Sequence, residues 1–212
     1  MATLRLALSR GVGPCRHAQL RQRFPTATEA LSGLQEMRRK DVKIASEDDA
    51  RQAIDAAAAL GADLLLTGDA NYPARLAETA RPPLCLHVLG DASRLNDRVV
   101  AIVGARNAST AARRFAEELA KGLSEAGVGV VSGLARGIDG AAHKGSLAGY
   151  PVGVVAGGID VVYPPEHKEL QAAIAARGVL IAESPIGAKP TERHFPRRNR
   201  IVAGLAVAVV VI

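Results

Sequence analysis

From Val99 to the last residue, short runs of Val and Ile recur at near-constant intervals with helical stretches between them. Few folds accommodate that alternation. The runs begin near Val99, Val128, Val152, Val179 and Ala206, spaced 24 to 29 residues apart. Strands without a polar alternation are buried on both faces, so the chain reads as α/β, with a doubly wound parallel sheet. The helices between them are best seen in Ala112, Phe115, Ala116, Leu119, Leu123 and Ala126, which recur at i, i+3, i+4 and i+7 spacing and are expected to face the core. Folds of this kind bind ligands along the edge formed by the C-terminal strand ends. Here those ends are rich in glycine.

The sequence before Val99 follows another rule. Residues 1–57 read as a small all-α domain of short helices, and residues 58–212 as the α/β domain. Gly11-Val12-Gly13-Pro14 is a tight turn that places Pro at a helix's first position, where its missing N–H costs nothing. Leu20, Phe24, Ala27, Leu31 and Leu34 continue at helical spacing. Asp41–Leu60 gives a further helix, capped by Ser46, with Asp48 and Asp49 near its positive end. Between the two domains, Leu64–Leu66 and Leu84–Leu89 read as strands on either side of a turn at Asn71-Tyr72-Pro73. The chain stops inside the apolar run Ala206–Ile212, which leaves a core strand uncovered and reads as a truncation.

Composition narrows the function. Apolar residues are 48% and charged residues 23% of the 212, an ordinary globular balance. Cys15 and Cys85 form no CxxC pair, which fits a reducing cytoplasm without disulfides. The five His show no metal-ligand spacing, so no metal or other cofactor is expected. The terminal apolar run is far shorter than the roughly 20 residues that a membrane span needs. The net charge of +6 falls in two places: +3 within residues 1–57 and +3 within residues 191–200. In the second, Arg193, Arg197, Arg198 and Arg200 surround Phe195 just before the apolar run Ile201–Leu205.

Three strand-to-helix turns lie at the same predicted edge. Val103-Gly104-Ala105-Arg106 would aim backbone N–H groups and a helix N-terminus at an anion, with Arg106 at the mouth. It lacks the later glycines of GxGxxG, so a dinucleotide site is not supported. In Ser132-Gly133-Leu134-Ala135-Arg136-Gly137, Gly133 and Gly137 would let backbone approach a phosphate, with Arg136 projecting between them. Ser132, Asp139 and His143 crowd one turn of chain without a GxSxG elbow, which argues against a hydrolase triad. Asp139 is expected in a helix's first turn and His143 in local packing. In the third turn, Gly157-Gly158-Ile159-Asp160, the carboxylate either orients a ligand or fixes helix entry before Pro164-Pro165. Glu183 ends the fourth strand and has no partner named by the sequence. Arginine forks bind phosphate in pairs of hydrogen bonds, and Phe195 offers a face on which a base of single-stranded nucleic acid can stack. Arg197, Arg198 and Arg200 cannot all face one way, and some are expected to pair with acidic neighbours.

These segments, AIVGARNAS, VVSGLARGIDGAAH, AGGIDVVYPPEH and ESPIGAKPTERHFPRRNRIVAGL, stand in the order and spacing of the DNA-processing protein A (DprA or Smf) family. The chain resembles that family over roughly residues 3–212. The resemblance implies a SAM-like, helix-hairpin-helix-like N-terminal domain and an extended Rossmann domain. It implies binding of single-stranded DNA without a catalytic step, protection of incoming DNA, and help in loading the RecA recombinase during natural transformation. By matching position, the DNA site takes Gly104, Arg106, Ser132, Gly133, Arg136, Gly137, Phe195, Arg197, Arg198 and Arg200. The family continues past this point with more sheet and often a winged-helix domain, and much of its dimer contact and RecA-facing surface lies there. Two other readings remain. A nucleotide or nucleotide-sugar hydrolase of a related Rossmann family would carry a PGGxGT-type loop, where this chain has Gly157-Gly158-Ile159-Asp160. A non-catalytic interaction scaffold would use the N-terminal domain as its partner surface.

Overall fold

The computed structural model describes residues 1–37 and 41–212. Four helices come first: α1 (Ala2–Leu8), α2 (Pro14–Arg23), α3 (Ala27–Glu36) and α4 (Glu47–Ala59). Pro14 opens α2 behind the N-cap Gly13, as its missing N–H predicts. The spacing from Leu20 to Leu34 is interrupted at Phe24. Thr26 then starts α3 through a capping box, its hydroxyl accepting from the Glu29 N–H while the Glu29 carboxylate accepts from the Thr26 N–H. The same reciprocal pair between Ser46 and Asp49 opens α4, so residues 41–45, expected to be helical, lie outside the helix. The helices enclose Leu6, Val12, Leu20, Leu31 and Leu34, and Leu84 from beyond them joins that core.

One seven-stranded sheet follows, with strands β1 (Asp63–Leu66), β2 (Cys85–Gly90), β3 (Val99–Val103), β4 (Gly129–Ser132), β5 (Pro151–Val155), β6 (Val179–Ala182) and β7 (Ala208–Val211). Their spatial order is β1-β2-β6-β5-β4-β3-β7. The five strands from β3 onward pair in parallel, as their apolar runs predict. β1 and β2 extend the sheet in the antiparallel sense, so the whole sheet is mixed.

The remaining helices are α5 (Ala74–Ala77), α6 (Thr110–Glu125), α7 (Ile138–Ser146), α8 (Lys168–Arg177) and α9 (His194–Leu205). Side chains alternate between the faces of the sheet. Ala101, Val131, Val154 and Ile181 meet Ile201, Val202 and Leu205 of α9. Ile102 and Val130 turn the other way onto α6 and α7, and Val155 and Leu180 onto α8. Thus α6, α7 and α8 carry the chain across one face, and α9 returns it across the other to set β7 beside β3. The strand order reverses between β3 and β7, where open α/β sheets place their ligands. Phe115 does not face the core as expected and is 56% exposed. The buried stripe of α6 runs through Ala116 and Ala120, and Phe115 lies about 100° around the helix from Ala116.

Candidate nucleic-acid interface

The C-terminal ends of β3 to β6 and the first turns of α9 form one edge. Cavities of about 290 Å³ and about 110 Å³ open there, and Arg198 lines both. Gly104 ends β3 in a place with no room for a side chain, because a Cβ would stand 2.1 Å from the Ile212 carbonyl oxygen. Arg106, two residues on, is exposed, and its guanidinium carbon lies 4.8 Å from the centre of the Phe195 ring. That is cation–π range. Tyr163 packs against the same ring, 5.6 Å between centroids and tilted by 50°, and is itself 45% exposed. Tyr163 was missed as a site residue. Its signal was its position at the end of a strand-end turn, just before Pro164-Pro165.

The second turn behaves differently from its reading as a phosphate loop. Ser132 is fully buried and donates its hydroxyl to the Ile102 carbonyl, 2.6 Å away, which ties β4 to β3. It faces no ligand. Gly133 is also spoken for: its N–H donates to Asp139 at 3.1 Å, and its carbonyl accepts from the Arg198 guanidinium. A Cβ at Gly133 would collide with that guanidinium at 2.2 Å, so its missing side chain makes room for an arginine. Gly137 has φ +77°, and a Cβ there would lie 2.2 Å from the Ala105 carbonyl oxygen. It lets the turn fold back against the Arg106 loop. Arg136 does project to solvent, where it forms a two-pronged pair with Glu166. That guanidinium holds the Glu166 carboxyl down at about 2.

Asp139 lies in the first turn of α7, as expected, but is buried. Burial pushes its carboxyl up, and the Arg198 charge with the Ala135 and Gly133 N–H groups opposes that rise. His143 is completely buried, and neither ring nitrogen has a hydrogen-bond partner. Burial lowers it to about 3, so it is a neutral packing residue at ordinary pH. Asp160 accepts from the Gly187 N–H at 2.8 Å and so pins one loop to another.

The arginines of α9 divide. Arg198 is 6% exposed, and its Nη1 donates to the carbonyls of Gly133 and Val154, the latter at 2.7 Å. It joins the ends of β4 and β5 to α9. Arg200 is half-buried between Glu183 and the Arg81 carbonyl. Arg197 is exposed, with the other oxygen of Glu183 at 3.8 Å. The expected acidic pairing therefore falls mainly on Glu183. Arg193, the N-cap of α9, makes no side-chain cap bond, and no acidic residue stands in the helix's first turn. Cations at a helix's positive end repel it. An anion there would relieve the conflict. Among the described residues, no group of His, Cys, Asp and Glu is placed to hold a metal ion, and no helix is long and apolar enough to cross a membrane.

Comparison with known proteins adds to this geometry. The family model described as DNA recombination-mediator protein A matches residues 63–212, and that of the DprA-like N-terminal HHH domain matches residues 1–56. A DNA processing protein DprA of Mycobacterium tuberculosis is 40% identical over 201 residues, covering 92% of this chain and 48% of the relative. The Synechocystis protein Smf is 40% identical over 156 residues, covering 69% of this chain and 38% of the relative. The chain thus spans half or less of these relatives' length. In structure it is similar to the DNA processing protein A of Streptococcus pneumoniae, with a TM-score of 0.71 at 33% identity, over 78% of this chain and 57% of that one. It is also similar to the Helicobacter pylori protein, whose structure describes a single-stranded DNA binding mode, with a TM-score of 0.64 at 29% identity, over 71% and 68%. On these matches, the chain belongs to the DNA recombination-mediator protein A family, the DprA/Smf proteins.

Proposed function

We propose that the strand-end edge binds single-stranded DNA, with Arg106, Arg136 and Arg197 meeting phosphates and Phe195 with Tyr163 receiving a base. The observation that carries this reading is the stack of Arg106 on Phe195 beside the exposed Tyr163. It puts an exposed cation and two rings together at the strand-end edge. Base stacking on an aromatic contributes about 1–3 kcal/mol and does not depend on sequence. Of the proposed site, Gly104, Ser132, Gly133, Gly137 and Arg198 shape the edge from below, and Arg200 steadies Glu183. The binding described for the Helicobacter pylori protein supports the same ligand here.

The edge binds without a chemical step. Its two best-placed carboxylates are engaged, Glu183 by Arg200 and Arg197, and Asp139 by backbone N–H groups below the surface. The wider role that follows is protection of incoming single strands and help in loading RecA in the cytoplasm, with a homodimer as the working unit. The helical residues 1–57 and the sheet of residues 58–212 act as two modules in that role.

The test is a titration of the 212-residue chain with a single-stranded oligomer, the matching duplex and mononucleotides, read by fluorescence anisotropy. Single strands are expected to bind tightest, with log affinity falling by about 0.7 per neutralised phosphate for each tenfold rise in salt. Arg136→Ala and Arg197→Ala are each expected to weaken that binding without changing the melting temperature. Unchanged affinity in both variants, or a flat response to salt, overturns the reading.

A further inference from the structure

The helices α6 and α7 touch closely at one crossing, where a Cβ on Gly145 would stand 2.1 Å from the Glu117 carbonyl oxygen. A cavity of about 310 Å³ lies toward the strand-end edge, and one of about 630 Å³ continues toward the C-terminal end of α8. Both are lined by Arg114, Glu117 and Lys144, so they form a single groove. Its charge is lopsided. Arg113, Arg114, Lys121, Lys144 and Arg177 share its lining with only two carboxylates, Glu117 and Glu118; Arg114 holds Glu118 at 2.8 Å, and Lys121 pairs outside the lining with Glu125 at 3.8 Å. Arg113, Lys144 and Arg177 have no ion-pair partner among the described residues. Arg113 touches only the Thr110 hydroxyl at 3.3 Å.

The groove also begins where the edge ends. Gly137 and His167 line its near cavity, and their chain neighbours Arg136 and Glu166 form the ion pair at the edge. Gly137, Gly140 and Ala141 keep the floor low, so a backbone passing Arg136 meets Arg113 and Lys144 next.

We propose that the groove between α6 and α7 is a second phosphate track, which takes the backbone of the same DNA strand after it leaves the strand-end edge. This inference rests on the binding proposed above. Among the described residues no Phe, Tyr or Trp lines the groove, so it would grip phosphates and leave most bases facing solvent. Its contribution therefore depends on strand length and not on sequence.

The test compares oligothymidines of about 6 and about 20 nucleotides, a length range set by known single-strand site sizes. The proteins are the unaltered chain and the double variant Arg113→Gln/Lys144→Gln, which removes charge at exposed positions and keeps polar bulk. The longer strand is expected to lose about tenfold in affinity and about 1.4 from its salt slope, two phosphates' worth. The shorter strand is expected to bind both proteins alike, and melting temperatures to agree. Equal affinity for the long strand in both proteins overturns the track. So does an equal loss on both lengths, which would place the two cations within the edge itself. Failure of the unaltered protein to bind either strand removes the proposed function and the track with it, a result distinct from the other two.

Discussion

The two faces of α9 carry arginine into opposite surroundings. Arg198 sits with Ile201, Val202 and Leu205 on the face that packs against the sheet, while Arg197 points out with its side chain 65% exposed. Taking a guanidinium out of water costs several kcal/mol unless its donors are used. Arg198 meets that demand with the carbonyls of Gly133 and Val154, and its charge faces the buried Asp139. Burial still lowers the pKa of its guanidinium. Arg197 meets no such demand. Its one acidic neighbour is 3.8 Å away and shared with Arg200, so it can exchange that contact for a phosphate at little cost. Arg198 builds the edge, and Arg197 just before it keeps only a loose contact there.

The largest expected effect breaks the buried side. Arg198→Ala leaves two strand-end carbonyls without a donor and Asp139 without its cation. Removing one partner of a buried charge set costs about 3–5 kcal/mol, to be read from urea unfolding. Arg198→Lys recovers only part of it, because an ammonium lacks the planar fork. Arg197→Ala, by contrast, shifts stability by less than about 0.5 kcal/mol. If the two variants proved equally stable, the division between the faces would be wrong.

Much of this was legible in the sequence, and the misses have physical causes. The parallel strands announced themselves because burial on both faces leaves continuous Val and Ile runs. The antiparallel direction of β1 and β2 did not, since their short apolar runs look alike in either sense. Burial of Arg198 was legible after all: positions 198, 201, 202 and 205 are i, i+3, i+4 and i+7 of one helix. The run of charge drew attention to composition and away from that period. The break at Phe24 was written in Thr26-x-x-Glu29, a local cap that overrides a hydrophobic spacing spanning it. The use of Ser132 and Gly133 by protein groups was not legible, because their partners Ile102 and Arg198 lie 30 and 65 residues away. Tyr163 and Phe195 likewise meet only through the fold.

Acid offers a second way to strain the buried side. His143 has its pKa lowered to about 3 in the folded chain, with the Arg198 charge adding to the effect of burial. The unfolded chain binds the proton first, from an ordinary value near 6.5. This contribution to stability is complete above pH 6.5 and is lost as pH falls from about 6.5 toward 3, at up to about 1.4 kcal/mol per pH unit. Asp139 acts in the opposite sense, because its raised folded pKa makes protonation favour the folded chain. The difference between the unaltered chain and His143→Leu isolates the histidine. Melting temperatures of the two are expected to converge between pH 7 and pH 4, and a constant gap would mean that His143 does not titrate on unfolding.

The smallest expected effect sharpens the exposed side. Arg136 is the counterpart of Arg197 on the second turn, but its fork is occupied by Glu166. Under the proposed binding, a strand of DNA would either displace that carboxylate or bind past it. Both groups are exposed, so the pair is screened by water and salt and contributes little to folding. Its consequence is competition: each phosphate that takes Arg136 leaves Glu166 nearby as a repelling charge. Glu166→Gln keeps the side-chain shape and removes that charge. Affinity for single-stranded DNA is expected to rise about threefold at low salt, the size of an exposed ion pair, and the gain to fade as salt is raised. Melting should not change. A loss of affinity would instead mean that Glu166 holds Arg136 in the orientation that DNA needs, and would move Glu166 from the competing side of the edge to the supporting one.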